Sequence, residues 1–324
     1  MEIRSKRFSK VRHAFSSRHN FHEAILLKSS VSSLINEDLV PSPPSRQTWT
    51  TWNYFAYWWS ESWCVSTWAV GASFISLGAT IRDALLVVFF ANFLSAFVIV
   101  ANGRAAARYH IGFPVLARAA FGIYGHYFVV VLRSMLGIIW AGINMYFTGQ
   151  FISICLRCIF PGWERLPNTI PADQHITSQG LLGFFFAFVS TLPFVFIHTS
   201  KIMGLFTIKS IIMPLAGLGM VLWSTLTNGG IDSTGLQDSD SYGPTVPPAA
   251  VLAWGIISQF NAVIGINSAL LVTVPDLARY SKTTRAQVWG QLIGLPLGQT
   301  LCGAFGVITT VRSAAVSPLI SKFF

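Results

Sequence analysis

Long apolar segments separated by short polar ones make up most of the chain after residue 48. Most of these segments are about 20 residues or longer, the length that a helix needs to cross the hydrocarbon core of a bilayer. They lack the strict alternation of apolar and polar residues that is typical of a membrane β-barrel. The pattern therefore predicts seven membrane spans, at residues 52–79, 84–101, 123–152, 179–198, 202–226, 250–274 and 289–311.

Prolines and one polar connection modify this pattern. Pro193 and Pro214 lie inside spans 4 and 5 and predict kinks, whereas Pro275 is expected to break span 6. Residues 102–122 are too polar to span a membrane and too apolar to form a solvated loop. We therefore expect a short, packed connection at the membrane surface there.

Polar segments flank the spans at residues 1–48, 227–249 and 312–324. The first lacks the apolar core of a secretory signal peptide, and its acidic residues weaken a comparison with mitochondrial transit peptides. We expect a cytoplasmic tail before the spans and an extracellular loop at 227–249. The last segment has no clear stop, so we expect the chain to be truncated.

Composition and charge placement agree with a membrane protein. Hydrophobic residues make up 52% of the chain and charged residues only 10%, far below the roughly 25% of soluble domains. The net charge of +10 does not indicate nucleic-acid binding, because the basic residues lie in the tail and in alternate loops. Seventeen Lys and Arg residues fall on the side of the N-terminus and three on the opposite side, which predicts a cytoplasmic N-terminus.

The first apolar segment, residues 54–78, contains a carboxylate near its middle. Glu61 is surrounded by small polar residues, and a carboxylate at membrane depth costs on the order of 3 kcal/mol. It either snorkels to the headgroups or belongs to a polar seam that binds a solute or an ion. We favour the seam, because Trp52, Tyr54 and Tyr57 already mark the membrane interface.

Two further sets of polar residues are candidates for a binding site. Trp140 and Asn144 are four residues apart and share one helix face, which would offer a flat heterocycle both a stacking surface and an amide. The alternative is that both residues pack on neighbouring helices. In span 6, Asn267 lies among glycine and apolar residues, where it either bonds to a neighbouring helix or lines a discontinuous helix at a site.

The sequence gives no support to an enzyme. It contains no clustered histidines, no paired carboxylates within the spans and no glycine-rich phosphate loop. Cys155 and Cys158 have no second pair or histidine partner with metal-ligand spacing. Cysteine therefore fits a packing role better than a metal site.

Several motifs in one order carry a resemblance to a known family. The chain resembles the fungal branch of the nucleobase:cation symporter-1 family, which includes uracil, allantoin, uridine and thiamine permeases. The resemblance covers roughly residues 36–306. The matching pieces are N-x-D-L-x-P-x-P from Asn36, FAYWWSES before Thr67-Trp68, Asn102-Gly103-Arg104, YHIGFP with Arg118 and FG-x-YG, Trp140-x-Gly142, Phe206-x-x-Lys209-Ser210, Pro275-Asp276-x-x-Arg279-Tyr280, and Gly290-Gln291 with Pro296.

The resemblance implies an all-α integral membrane protein with the LeuT-type inverted-repeat fold, in which spans 1 and 6 are broken at their centres. About 7 of the family's 12 transmembrane helices would be present. Residues 49–226 would form the first five-helix repeat, and residues 250–311 would begin the second.

The resemblance also implies a site. The solute would stack on Trp140 and contact Asn144, where the family usually has Gln. Asn267, which replaces an aromatic residue, and Cys64 beside the break would complete the pocket. Glu61, usually Asp, would belong to the ion pathway. A sodium-type metal site would use the backbone carbonyls of Ser60 and Trp63.

These features predict a cation-coupled symporter for uptake of a nucleobase or related heterocycle at the plasma membrane. It would need no cofactor beyond its coupling ion, H⁺ or Na⁺. Its partners would be the solute and membrane lipid, with no nucleic acid. A permease for thiamine or a nucleoside is the first alternative, and a truncated, non-transporting remnant is the second. The 324 residues alone are expected to insert but not to transport.

Overall fold

The computed structural model describes residues 39–77, 79–171, 174, 176–195, 203–227 and 248–314. Within these ranges the chain is helical, apart from short connections and one isolated bridge. The predicted loop 227–249 and the two predicted tails fall largely outside the described residues. The helices are α1 Thr51–Ser62, α2 Val65–Ser76, α3 Ile81–Tyr109, α4 Phe113–Ile159, α5 Ser178–Val195, α6 Met203–Thr227, α7 Ala249–Ala278 and α8 Ala286–Ala314.

Five of the described helices, α3, α4, α6, α7 and α8, are long and apolar enough to cross a membrane. The remaining predicted spans are shorter. Helix α5 has 18 residues. Span 1 consists of two consecutive helices, α1 and α2, of 12 residues each. The expected break in span 1 is therefore present.

The predicted packed connection at 102–122 is wrong in its extent, because helix occupies most of it. Helix α3 continues to Tyr109 and ends at His110, which has a left-handed backbone with φ 56°. Helix α4 starts three residues later at Phe113, whose N–H donates to Asp276 Oδ1 at 2.8 Å. The helix interrupts its regular geometry at Gly122, with φ 77°. Glycine adopts this conformation without strain, so the helix bends there.

Both expectations for span 6 are wrong within the described residues. Helix α7 runs from Ala249 to Ala278 without a break at its centre, and it continues past Pro275. A proline lacks the N–H that would bond the carbonyl four residues earlier, here that of Leu271. Asn102 of α3 donates its Nδ2–H to this Leu271 carbonyl at 2.7 Å. A side chain from the neighbouring helix therefore replaces the missing backbone donor, and the helix continues for one more turn.

Helix α8 is the centre of the packing, since it contacts α1, α2, α3 and α6. The face toward α1 and α2 carries glycines at four-residue intervals. A Cβ added at Gly298 would lie 2.6 Å from Ser62 Oγ, and one added at Gly290 would lie 2.7 Å from Tyr54 Cβ. Small residues let helix backbones approach closely in membranes. The series consists of Gly290, Gly294, Gly298, Cys302 and Gly306.

Helices α4 and α5 form an antiparallel pair at the edge of the bundle. Gly149 and Gly183 bring them together, since a Cβ added at Gly149 would lie 2.7 Å from the Phe184 amide nitrogen. Helix α4 also contacts α7, but most of its side chains remain exposed. A long face of α4, which carries both polar and apolar side chains, is therefore not covered by the other described helices.

The segment before α1 is attached to the junction between α7 and α8. Trp49 N–H donates to Tyr280 O at 2.9 Å, and Lys282 N–H donates to Trp49 O at 2.9 Å. The buried Arg279 donates from Nε to Ser42 Oγ at 2.6 Å. We call residues 39–50 the N-terminal strap, and it ties the start of span 1 to the end of α7.

Candidate functional site

The break between α1 and α2 exposes backbone polar groups in the middle of an apolar segment. Trp63 (φ −84°, ψ 78°) and Cys64 (φ −138°, ψ 160°) both leave the helical conformation. The Cys64 N–H, which would bond Ser60 in a continuous helix, donates to Ser62 O at 3.1 Å. Among the described residues, no backbone N–H donates to the Trp63 carbonyl.

Cys64 lies at the break but is already engaged there. Its Sγ is 3.2 Å from Thr67 Oγ1, and its carbonyl accepts from Trp68 N–H at 3.2 Å and from Cys302 Sγ–H at 3.9 Å. The buried Cys302 stands in the glycine series of α8, so α8 presents a thiol where the opposing chain is unwound. The break is thus packed against α8 on one side.

Glu61 lies in the last turn of α1 and is half-buried. Across the described residues it has no hydrogen bond and no ion pair. Arg133 of α4 has its Nε buried without a hydrogen-bond partner in the described part of the chain. The buried Tyr57 lies one turn before Glu61 on the same face of α1. Arg133, which the sequence reasoning had used only to count charges, is a second half-buried charge, on α4.

Trp140 and Asn144 lie one turn apart on α4, as expected from their spacing. The exposed Asn144 donates its Nδ2–H to Trp140 O at 2.8 Å, and Thr148 Oγ1–H donates to Asn144 O at 2.8 Å. With Arg133 they form a stripe on one face of α4, at intervals of seven, four and four residues. The stripe is exposed or half-buried, and the Asn144 amide is turned back onto its own helix.

Asn267 occupies a different position, inside the bundle and 1% exposed. Its Nδ2–H donates to Asn92 Oδ1 at 2.8 Å, and its Oδ1 accepts from Gln299 Nε2 at 2.7 Å. We call Asn92, Asn267 and Gln299 the amide trio. It joins α3, α7 and α8, the arrangement that the alternative of interhelical hydrogen bonding anticipated.

Sequence reasoning missed a second buried polar cluster on α8. Trp58 Nε1–H donates to Gln291 Oε1 at 3.0 Å, Gln291 donates to Gln287, and Gln287 donates to Val100 O at 3.2 Å. Gln287 and Gln291 share one face of α8 because they are four residues apart. That spacing was the available signal.

The predicted site residues therefore lie in three separate groups in the structure. Cys64, Ser60 and Trp63 lie at the break, with Glu61 beside them. Trp140 and Asn144 lie on α4, and Asn267 lies in the amide trio. Within the described residues, no hydrogen bond or ring contact joins Trp140 or Asn144 to the other groups.

A metal site built from charged or thiol side chains is not found in the part of the chain that the structure describes. No group of three or more His, Cys, Asp or Glu residues there lies close enough to hold an ion. Backbone oxygen is another type of ligand, and within the described residues the carbonyl of Trp63 accepts from no backbone N–H. Oxygen ligands of this kind suit a hard cation such as Na⁺.

Comparison with known proteins agrees with this fold. A permease family described as "Permease for cytosine/purines, uracil, thiamine, allantoin" matches residues 41–320 of the chain. Its matched region includes all the helices described above.

Individual relatives cover the same region. The allantoin permease and the uracil permease of Saccharomyces cerevisiae are each 27% identical over 86% of this chain and 43% of their own length. The uridine permease of the same yeast is 29% identical over 85% of this chain and 43% of its own length. The chain thus spans about half the length of the curated relatives that it matches.

A solved structure supports the same architecture. The chain is similar to MHP1, a nucleobase-cation-symport-1 family transporter in a closed conformation with bromovinylhydantoin bound, with a TM-score of 0.69. The similarity covers 90% of this chain and 64% of that structure, at 17% sequence identity. The chain therefore belongs to the nucleobase:cation symporter-1 family of permeases, whose members are transporters and not enzymes.

Proposed function

We propose that this chain forms the solute-binding part of a cation-coupled permease for a nucleobase or related heterocycle such as uracil or allantoin. The observation that carries the proposal is the break between α1 and α2. It leaves backbone groups of Trp63 and Cys64 outside any helix within an otherwise apolar span. Secondary transporters place solutes and coupling ions at such interrupted helices near the middle of the membrane.

In this proposal the solute stacks on Trp140 and bonds to Asn144. The aromatic face supplies dispersion and stacking, and the amide supplies one donor and one acceptor. Asn144 can serve because, within the described residues, its side chain bonds only to the Trp140 carbonyl of its own helix. Cys64 borders the pocket. Asn267 could bond to the solute only if it gave up one of its hydrogen bonds to Asn92 or Gln299.

The coupling ion is assigned to the same break. Na⁺ would be held by the backbone carbonyls of Ser60 and Trp63, whereas H⁺ would act through Glu61. An ion at this position supplies positive charge next to the unwound residues. The proposed orientation has the N-terminus in the cytoplasm and the protein in the plasma membrane, in keeping with the distribution of Lys and Arg.

Two alternatives remain open to the same experiments. A permease for thiamine or a nucleoside is favoured by the range of solutes in the family description and by the similarity to a uridine permease. A chain that inserts without transporting is the second alternative.

The test is equilibrium binding of labelled uracil, allantoin, uridine and thiamine to membranes that contain the chain, with empty-vector membranes as control. Saturable binding of uracil or allantoin, competed by the unlabelled solute, supports the proposal. Preferential binding of uridine or thiamine supports the first alternative. Absence of saturable binding at verified expression contradicts the proposal. Where binding is found, uptake measurements separate a transporter from a remnant that binds without transporting.

A further inference from the structure

Three indole N–H groups in α1 differ in their partners. Trp58 Nε1–H donates to Gln291 Oε1 at 3.0 Å, and Trp59 Nε1–H donates to Ser210 O at 3.1 Å. Trp63 Nε1 is also buried, but it has no acceptor among the described residues. An indole nitrogen is a donor only, so it cannot be satisfied by another donor.

The ring of Trp63 is held firmly although its N–H is not. The residue is 3% exposed, and its ring lies 5.4 Å from that of Phe305 in an edge-to-face arrangement. On the side of α6, a Cβ added at Gly217 would lie 3.0 Å from Trp63 Cζ3. This contact places the Cζ3 edge of the indole, the edge opposite Nε1, next to α6.

A second unpaired polar atom lies next to it in sequence. Ser60 is fully buried, and its Oγ has no hydrogen-bond partner in the described part of the chain. Ser60 lies in the last turn of α1, and Trp63 follows directly after the helix. Two buried donors at the end of α1 therefore lack an acceptor among the described residues, an arrangement that burial penalises unless a ligand or a water supplies the acceptor.

We propose that the indole N–H of Trp63 and the hydroxyl of Ser60 recognise a carbonyl oxygen of the transported heterocycle, directly or through one water. A carbonyl oxygen has two lone pairs and can accept from both groups. This assignment rests on the proposed function and refines it. It selects solutes that carry a ring carbonyl, such as uracil or allantoin, over adenine, whose ring has none. It concerns side chains and not the backbone carbonyls assigned to the ion.

The first measurement is the thermal stability of the purified chain without solute. Trp63→Phe removes the N–H but leaves no protein acceptor unpaired. The matched control is Trp58→Phe, which removes an equally buried N–H and strands Gln291 Oε1. We expect Trp63→Phe to lower the melting temperature by several degrees less than Trp58→Phe. An equal or larger loss at Trp63 means that its N–H already has an acceptor within the protein, and overturns the proposal.

The second measurement is solute binding to these variants and to Ser60→Ala. Binding is monitored by the shift in melting temperature that uracil, allantoin or adenine causes. Trp63→Phe and Ser60→Ala should each raise the dissociation constant for uracil or allantoin by about tenfold, and Trp58→Phe should leave it close to the wild-type value. Adenine should bind the wild type more weakly than uracil.

The outcomes separate this assignment from the proposed function. If the wild type binds uracil or allantoin and Trp63→Phe binds equally well, the assignment is overturned and the function stands. If the wild type binds adenine as tightly as uracil, the carbonyl assignment is likewise overturned. If the wild type binds none of the solutes, the proposed function fails and the assignment fails with it.

Discussion

The amide trio shows how single polar residues are accommodated inside this bundle. Asn92, Asn267 and Gln299 come from three helices and satisfy one another by hydrogen bonds of 2.7 and 2.8 Å, with a longer one of 3.4 Å from Asn267 to Gln299. In a low-dielectric interior an unpaired amide costs free energy of folding, whereas a fully paired set of amides favours one specific packing of the helices. The trio therefore fixes the relative positions of α3, α7 and α8.

Replacing Asn267 by Leu should destabilise the protein, because Asn92 Oδ1 and Gln299 Nε2 each lose a partner. We expect a cost of about 1–3 kcal/mol for each group left unpaired, measured as a lower melting temperature in detergent. Ser268→Ala is the control, since the half-buried Ser268 donates to Gly265 O of its own helix and, within the described residues, to no other helix. Equal melting temperatures for the two variants would show that the trio contributes nothing to stability.

Glu61 should make solute binding depend on pH. Glu61 is the proposed ion-pathway residue, and a charge at this depth is stabilised only in a wet or paired site. Because Glu61→Gln removes the carboxylate, its dissociation constant should vary less with pH than that of the wild type. Asp83→Asn, at the cap of α3, is the control. A pH profile that Glu61→Gln leaves unchanged would make Glu61 a structural residue.

Which residues carry polar chemistry was predictable from the sequence, but their partners were not. Glu61, Trp140 and Asn267 stood out because each is unusual within an apolar span. The partner of Asn267 depends on the rotation of α3 and α8, which no local pattern specifies. The sequence likewise could not show that the Trp63 N–H is unpaired, because Trp58 and Trp59 lie in the same aromatic stretch and nothing local distinguishes the three indoles.

At the scale of elements, two prolines are tolerated because other helices supply donors to the carbonyls they leave free. Pro275 frees Leu271 O, which accepts from Asn102 Nδ2 at 2.7 Å. Pro214 frees Ser210 O, which accepts from Trp59 Nε1 at 3.1 Å. Neighbouring side chains are a recognised means of keeping proline within membrane helices. The prolines thus fasten one helix to the next.

Asn102→Ala should destabilise the protein by about 1 kcal/mol, because Leu271 O loses its donor. Adding Pro275→Ala restores a backbone N–H to the same carbonyl, so the double variant should regain most of the lost stability. The measurement is a double-mutant cycle on the melting temperature. Additive effects of the two substitutions would rule out the compensation.

The number and order of spans were predictable from hydrophobic segments, whereas their continuity was not. The pattern located all seven segments, and the family resemblance anticipated the break in span 1. It also implied a break at the centre of span 6 that α7 does not have. The end of the span expected at Pro275 was wrong as well, because Asn102, far away in sequence, supplies the donor that the proline lacks. Helix α3 extends to Tyr109 because charged residues such as Arg104 and Arg108 are exposed beyond the apolar stretch.

For the whole molecule, the packed core and the open surface are on different helices. Helices α1, α2, α3, α7 and α8 enclose the buried clusters, while α4 presents its polar stripe outward. A transport cycle in this fold requires one repeat to move against the other around a site held between them. The relatives are about twice as long as the matched region.

These 324 residues expressed alone should insert into membranes and give no saturable uptake above empty vector. The reason is that the stripe on α4 has no opposing helices within the described residues, although uptake requires a site enclosed on both sides. Surface biotinylation and uptake of labelled uracil, allantoin and thiamine in cells lacking their own permeases would measure this. Saturable uptake by the chain alone would contradict the prediction.

The central claim is that a heterocyclic solute stacks on Trp140, and a binding measurement on membranes tests it most directly. Trp140→Ala should raise the dissociation constant for the preferred solute by about tenfold to hundredfold, and Trp140→Phe should retain part of the affinity. Trp254→Ala, at an indole that is 72% exposed on α7, is the matched control and should bind as the wild type does. Unchanged affinity in Trp140→Ala at normal expression would contradict the account.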